Sequence, residues 1–116
     1  MPNMISTSAS IAVGQSTTTA IELNANSILG ITTASNVTGS AITFLVSVDG
    51  TNYFSLYDDT STEVALILSA SATRAYNLPI NTFYPWNHVK IREGTSASPV
   101  NQQTNNIIFN ISTARL

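Results

Sequence analysis

The sequence predicts an all-β fold, an antiparallel β-sandwich or jelly roll of about eight short strands with at most one short helical turn. Three observations support this. Apolar and polar residues alternate with a two-residue period along much of the chain. Asn, Ser, Gly and Pro separate these runs at short intervals. Thr, Ile and Val, whose branched side chains suit a pleated sheet, are abundant.

The predicted strands, in chain order, are residues 5–11, 19–23, 28–33, 41–48, 52–57, 63–68, 73–78, 87–93 and 105–113. We expect one domain over residues 1–116, in which residues 1–12 form an N-terminal arm or an edge strand. The dipeptide Asp49-Gly50 indicates a hairpin after the fourth strand. Pro79 and Pro85 bracket residues 80–84, which predicts a turn or a single helical turn there, because proline fits poorly into a strand ladder.

Two places depart from simple alternation. Residues 64–68 are apolar on both faces of their strand. In the Asp49-Gly50 hairpin, an odd loop places Phe54 and Leu56 beside Phe44 and Val46, whereas an even loop leaves them in an outer apolar stripe with Leu45. Either a partner subunit or an edge loop of the chain itself would cover these positions. The candidate interface residues are therefore Leu45, Phe54, Leu56, Ala65 and Ile67.

Composition restricts the function. The 116 residues include no cysteine, which removes thiol catalysis and zinc–thiolate sites. The chain has four basic and six acidic residues, and four basic residues are too few to neutralise a nucleic-acid backbone. The longest apolar run, residues 64–68, is too short to span a bilayer. The first residues lack the pattern of a signal peptide, so we expect the protein to stay in the cytoplasm where it is made, or to leave by lysis or inside a larger particle.

No residue pattern predicts catalysis. His88 is the one histidine and is expected on the outer face of its strand in a polar row with Lys90 and Arg92, opposite Val89 and Ile91. No Gly-x-Ser-x-Gly turn occurs. We therefore expect neither an enzyme nor a cofactor.

The remaining chemical candidates are loop acids and aromatics. Asp49, Asp58 and Asp59 fit Asx turns better than a calcium site. The aromatic cluster at residues 83–86 is expected to close one end of the core, with a role in binding a sugar or a protein as the alternative.

Several segments resemble small virion proteins of tailed bacteriophages, in particular capsid decoration, or cement, proteins. The chain carries SAITFLVSVDG at residues 40–50, TRAYNL at residues 73–78 and VKIREGT at residues 89–95. The resemblance continues at Tyr53, 56–58, Phe83 and 97–102, and it covers residues 40–113.

The resemblance implies a homotrimer that is assembled in the host cytoplasm and sits on the outer surface of the phage head. There it would bind the major capsid protein and stabilise the contacts between capsid subunits. The alternative is a carbohydrate- or receptor-binding module of a tail fibre or baseplate. In that case Tyr84 and Trp86, with Tyr53, would form the aromatic contact, and polar contacts would come from His88, Lys90 and Arg92.

Overall fold

The computed structural model describes residues 4–33, 37–68, 73–79, 81–84 and 86–115. Within these ranges the regular structure consists of nine strands. They are β1 (Ile5–Ile11), β2 (Ile21–Glu22), β3 (Asn26–Thr33), β4 (Ala41–Ser47), β5 (Phe54–Ser55), β6 (Ala65–Ile67), β7 (Arg74–Asn77), β8 (His88–Glu93) and β9 (Ile107–Arg115). No helix in the described ranges is long and apolar enough to cross a membrane.

The strands form two antiparallel sheets. Sheet I has the order β1-β9-β3-β7, and sheet II has the order β2-β8-β4, with β5 and β6 both paired to the remaining side of β4. If β5 and β6 are counted as two parts of one interrupted strand, each sheet has four strands in the order of a jelly roll. The predicted all-β sandwich is therefore confirmed.

The core lies between the inner faces of the two sheets. Its largest fully buried side chains include Phe44 from sheet II and Phe109 from sheet I. Phe83, from the turn before β8, is also fully buried, and its ring meets that of Phe44 edge to face at 4.9 Å between centroids and 81° between planes. Such aromatic pairs add to the stabilisation from burial. Residues 81–84 thus close the core through Phe83, while Ile80 and Pro85, part of the predicted turn, lie outside the described residues.

The loop of the hairpin after β4 contains an odd number of residues. Val46 pairs with Phe54, so seven residues separate the paired positions, and Leu56 N donates to Phe44 O at 3.0 Å. Leu56 consequently turns into the core and is only 6% exposed. The prediction of Leu56 as an interface residue is wrong, because the register of the hairpin places this side chain in the core. Leu45 lies on the outer face and is half-buried.

Asp49 organises the loop of this hairpin, as the predicted Asx turn requires. Its Oδ1 accepts hydrogen bonds from the backbone N–H groups of Thr51 and Asn52 and from the hydroxyl of Ser47, each at 2.9 Å. These donors, with the Asn52 N–H first, hold the pKa of the Asp49 carboxyl well below its ordinary value. The Asp-Gly dipeptide therefore sits inside a wider, capped loop and does not form a two-residue turn.

The end of the sandwich near β8 holds a buried carboxylate. Glu93 is fully buried, and its Oε1 accepts from the N–H groups of Thr38 and Gly39 at 3.0 and 2.9 Å. Its Oε2 is buried with no hydrogen-bond partner among the described residues. Buried Gln102 lies in the same cluster and also accepts from Thr38 N. Burial raises the pKa of Glu93, and the two N–H donors offset this only partly.

Glu93 is expected to make the free energy of unfolding depend on pH above its ordinary pKa of 4.5. Because the folded state holds this proton more tightly than the unfolded state, stability falls as pH rises from that value through the raised pKa. Urea unfolding of the native chain and of Glu93→Gln, at about pH 5 and about pH 8, measures the difference. All other titratable groups are common to both chains. Parallel losses in the two chains would contradict a raised pKa at Glu93.

Candidate docking surface along the β5–β6 edge

The outer face of sheet II carries the polar row His88, Lys90 and Arg92. These residues alternate along β8 with buried Val89 and Ile91 and pair with Ser47, Leu45 and Thr43 of β4. All three polar side chains lie against other parts of the chain. The row therefore makes its contacts within the protein.

Arg92 forms the centre of a buried polar network and is only 6% exposed. Its Nη2 donates to Glu63 Oε2 at 2.7 Å and to Ser55 Oγ at 3.2 Å, and its Nε donates to Thr43 Oγ1 at 3.0 Å. Glu63 also accepts from the backbone N–H of Ser96 at 3.1 Å. The network joins β4, β5, β8 and the two loops that follow β5 and β8. The prediction of Arg92 as a contact for a partner or a sugar is wrong, because the loop before β6 folds over it.

Lys90 and His88 are covered by the loop between β4 and β5. The Lys90 ammonium lies 4.4 Å from the centroid of the Tyr53 ring, a cation–π contact. The His88 ring packs against Gly50, where a Cβ would lie only 3.1 Å from His88 Nε2. His88 Nδ1 is buried without a hydrogen-bond partner among the described residues. Tyr53 and the half-buried His88 thus brace the hairpin loop, in place of the predicted sugar contact.

The free edge of sheet II presents an apolar strip formed by Phe54, Ala65 and Ile67, which we call the edge strip. Phe54 is 66% exposed and Ile67 is 75% exposed, the highest values among the large apolar side chains. Phe54 pairs with buried Val46, whose side chain faces the core, whereas Ile67 pairs with Ala41 on the opposite face of β4. The two side chains therefore lie about 17 Å apart along the strand and on opposite faces of the sheet edge. The edge strip contains three of the five predicted interface residues. The edge thus exposes a large apolar side chain on each of its faces, and a partner that wraps around the edge would cover both.

A cleft of about 770 Å³ lies beside the edge strip, between β6 and the segment that follows β7. Apolar side chains that pack against the core line its inner part: Leu56, Val64, Leu66, Leu78 and Trp86. Exposed Tyr57, Asp58, Asn77 and Asn81 are among the polar residues around it. The cleft has the size of a small-ligand pocket. The apolar residues 64–68 of the sequence therefore serve two purposes: Val64 and Leu66 pack against the core, whereas Ala65 and Ile67 are exposed.

Two acids around the cleft, Asp58 and Glu63, are engaged in holding their own loop. Asp58 Oδ1 accepts from Thr60 Oγ1 at 2.6 Å and from the N–H groups of Thr60 and Thr62 at 2.9 and 3.0 Å. These bonds, the Thr60 hydroxyl first, lower the pKa of Asp58. Glu63 is held by Arg92. Among the described residues no group of three or more His, Cys, Asp or Glu side chains is placed to hold a metal ion.

Tyr84 and Trp86 have different surroundings. Trp86 is half-buried, packs against the core and lines the cleft, whereas Tyr84 is exposed and does not line it. Trp86 N donates to Phe83 O at 2.7 Å, which fixes the turn that delivers Phe83 to the core. The two predicted aromatic contacts therefore do not share one pocket.

Comparison with known proteins defines the fold. The crystal structure of the SPBc2 prophage-derived protein YomS is similar to this chain with a TM-score of 0.57 and 11% sequence identity, covering 97% of this chain and 95% of that chain. The Yersinia pseudotuberculosis-derived mitogen YPM aligns over 100% of this chain and 88% of its own, with 10% identity and a TM-score of 0.36, too low to support an argument. No protein-family model and no curated protein matches the chain. The chain thus shares its overall fold with a protein of prophage origin.

Proposed function

We propose that this protein is a structural virion protein of a tailed bacteriophage that decorates the outer surface of the head. It binds the major capsid protein and stabilises contacts between neighbouring capsid subunits, without catalysis and without a cofactor. The observation that carries the proposal is the edge strip, in which Phe54 and Ile67 are exposed at the free edge of sheet II. The fold, which a prophage-derived protein shares, and the resemblance of residues 40–113 to decoration proteins support it.

The mechanism is mechanical. A capsid under internal pressure fails where its subunits separate, and a rigid domain docked across that seam adds buried area on both sides. A standard protein interface buries roughly 1,600 Å² in total. A homotrimer, which the resemblance implies, would repeat the contact at each copy and gain from avidity. The network around Arg92 and Glu63 would keep β5, β6 and their loop rigid. Few further side chains or loop residues would then lose conformational freedom on docking.

Replacing both large residues of the edge strip should weaken binding to phage heads. We expect Phe54→Ser/Ile67→Ser to lower the affinity for heads assembled without this protein at least about tenfold, because each change removes an apolar anchor. Co-sedimentation of purified chain with such heads measures the affinity. Val13→Ser/Ile108→Ser, which replaces two apolar residues exposed on other parts of the surface, serves as the control. Equal loss in both variants, or no binding by the native chain, would contradict the proposal.

The cleft supports a second candidate, a carbohydrate- or receptor-binding module of a tail fibre or baseplate. Its favourable observation is the combination of Trp86 with the exposed amides of Asn77 and Asn81 around one pocket. Trp86 is the sole tryptophan of the chain, so its fluorescence reports on the cleft without interference. A saturable change on adding glucose, galactose or N-acetylglucosamine would favour this candidate. Absence of any change, with binding to heads, would favour decoration.

A further inference from the structure

The four outer edges of the two sheets differ in length. In sheet II, β2 has two residues, and β5 and β6 on the opposite side have two and three. In sheet I, β7 has four residues and begins with the charged Arg74. Short or charged edge strands resist pairing with another molecule, which is a common protection against uncontrolled association. Three of the four edges are protected in this way.

The remaining edge, β1, has none of these protections. It runs for seven residues, Ile5–Ile11, without a charge, a proline or a glycine. Its register with β9 is continuous from Ile5↔Thr113 to Ile11↔Ile107, with no bulge to twist it away. Among the described strands, β1 pairs with β9 alone. Its outward-facing backbone groups are therefore free to pair with a further strand.

The sequence of β1 is complementary to itself. In an antiparallel pair with a two-fold axis at Ser8, Ile5 meets Ile11 of the second copy, Ser6 meets Ser10, and Thr7 meets Ala9. Serines then face serines on the outer side of the sheet, and small or apolar side chains face one another on the inner side. No charged residue opposes another across the axis.

The exposure of β1 gives an independent reason for a partner. Its inner-face residues change from 48% exposed at Ile5 to 8% at Ala9 and 0% at Ile11, so sheet II covers only the second half of the strand. Met4 and Ile5 are apolar and exposed at the uncovered end. In the two-fold pair, the uncovered Ile5 lies next to the well-packed Ile11 of the other copy. Pairing thus places the exposed end of β1 in each copy beside the well-packed end of β1 in the other copy.

We propose that β1 pairs antiparallel with β1 of a second copy of this chain, around a two-fold axis at Ser8. The two copies of sheet I then form one eight-stranded sheet. A second copy fits this edge better than a strand of another protein, because the pattern of β1 matches its own reverse. The proposal does not depend on the virion role, and where the chain also forms a homotrimer, the two-fold contact through β1 would join two trimers.

Single cysteines test the register directly, because the chain has none of its own. In the proposed pair, the Cα atoms at position 8 of the two copies lie about 4.5–5.5 Å apart, within reach of a disulfide. The Cα atoms at position 10 of the two copies lie about 13 Å apart, too far for a disulfide. Under mild oxidation we expect Ser8→Cys to form a disulfide dimer in high yield. Ser10→Cys and Ser6→Cys should each form no disulfide alone and should cross-link to each other when mixed.

The side chains at positions 6, 8 and 10 are exposed, so these changes should leave the fold intact. Ser8→Lys places two like charges face to face and should weaken association at least about tenfold in sedimentation equilibrium. The proposal is overturned if Ser8→Cys cross-links no faster than Ser10→Cys, if the mixture of Ser6→Cys and Ser10→Cys gives no heterodimer, or if Ser8→Lys associates as the native chain does.

Discussion

Gly94→Ala is expected to remove a large part of the free energy of unfolding. Gly94 has φ +85°, and a Cβ built on it would lie 2.3 Å from Ser98 O, 2.9 Å from Val100 N and 3.1 Å from Pro99 Cα. These are backbone atoms of a hydrogen-bonded turn, in which Val100 N donates to Glu93 O at 3.0 Å, so they cannot move aside cheaply. Strain and overpacking together should cost roughly 3–6 kcal/mol, a large part of the stability of an ordinary domain.

Gly14→Ala is the matched control for this prediction. Gly14 has nearly the same backbone conformation, φ +86°, but a Cβ there would meet nothing within 4 Å. Gly14→Ala should lower the free energy of unfolding by only about 1 kcal/mol, the cost of replacing glycine in this backbone conformation. Urea unfolding followed by circular dichroism gives both values. Equal losses of the free energy of unfolding in Gly14→Ala and Gly94→Ala would contradict this account, because the backbone contacts of the turn after β8 would then not be the reason that position 94 requires glycine.

Arg92→Met is expected to lower the free energy of unfolding by about 3–5 kcal/mol. The substitution leaves the Glu63 carboxylate, whose side chain is only 14% exposed, without its cation and leaves Thr43 and Ser55 without a donor. Arg74→Met is the control, because Arg74 is exposed and should change the stability by no more than about 0.5 kcal/mol. Chemical denaturation of both variants measures the difference.

A double-mutant cycle separates the ion pair from general packing. If Glu63 and Arg92 act together, Arg92→Met/Glu63→Gln should lose less than the sum of the two single changes, by about 1–3 kcal/mol. The double variant should also recover part of the stability, because it removes the uncompensated charge. Strict additivity would contradict a coupled pair. In that case the loop before β6 would have to be held by its other contacts, such as Tyr57 Oη with Ser96 Oγ at 2.9 Å.

The strands with regular alternation could be predicted from the sequence because one face of each is buried. β4 and β8 are the clearest cases, since Phe44 and Ile91 mark the core face of their strands. β2 and β5 are much shorter than predicted. Residues of the preceding loop, such as Asp49, which caps it, and Tyr53, which covers Lys90, limit β5, and such contacts leave no two-residue period in the sequence.

The candidate site was predictable only in part, and for the same reason. Phe54 and Ile67 could be identified as apolar residues at odds with a simple core pattern. Leu56 depended on hairpin parity, which the Asp49-Gly50 dipeptide does not determine, and Arg92 depended on a loop that folds over it. The inward position of Glu93 did leave a signal, because it continues the alternation of Val89 and Ile91 onto the core face.

Cryo-electron microscopy of intact phage particles that carry this protein tests the central claim most directly. A domain that works by docking predicts two-sheet density on the outer surface of the head, repeated across the seams between capsid subunits, with Phe54 and Ile67 against the shell. Density confined to the tail, or a head on which this edge of the domain faces solvent, would contradict the account.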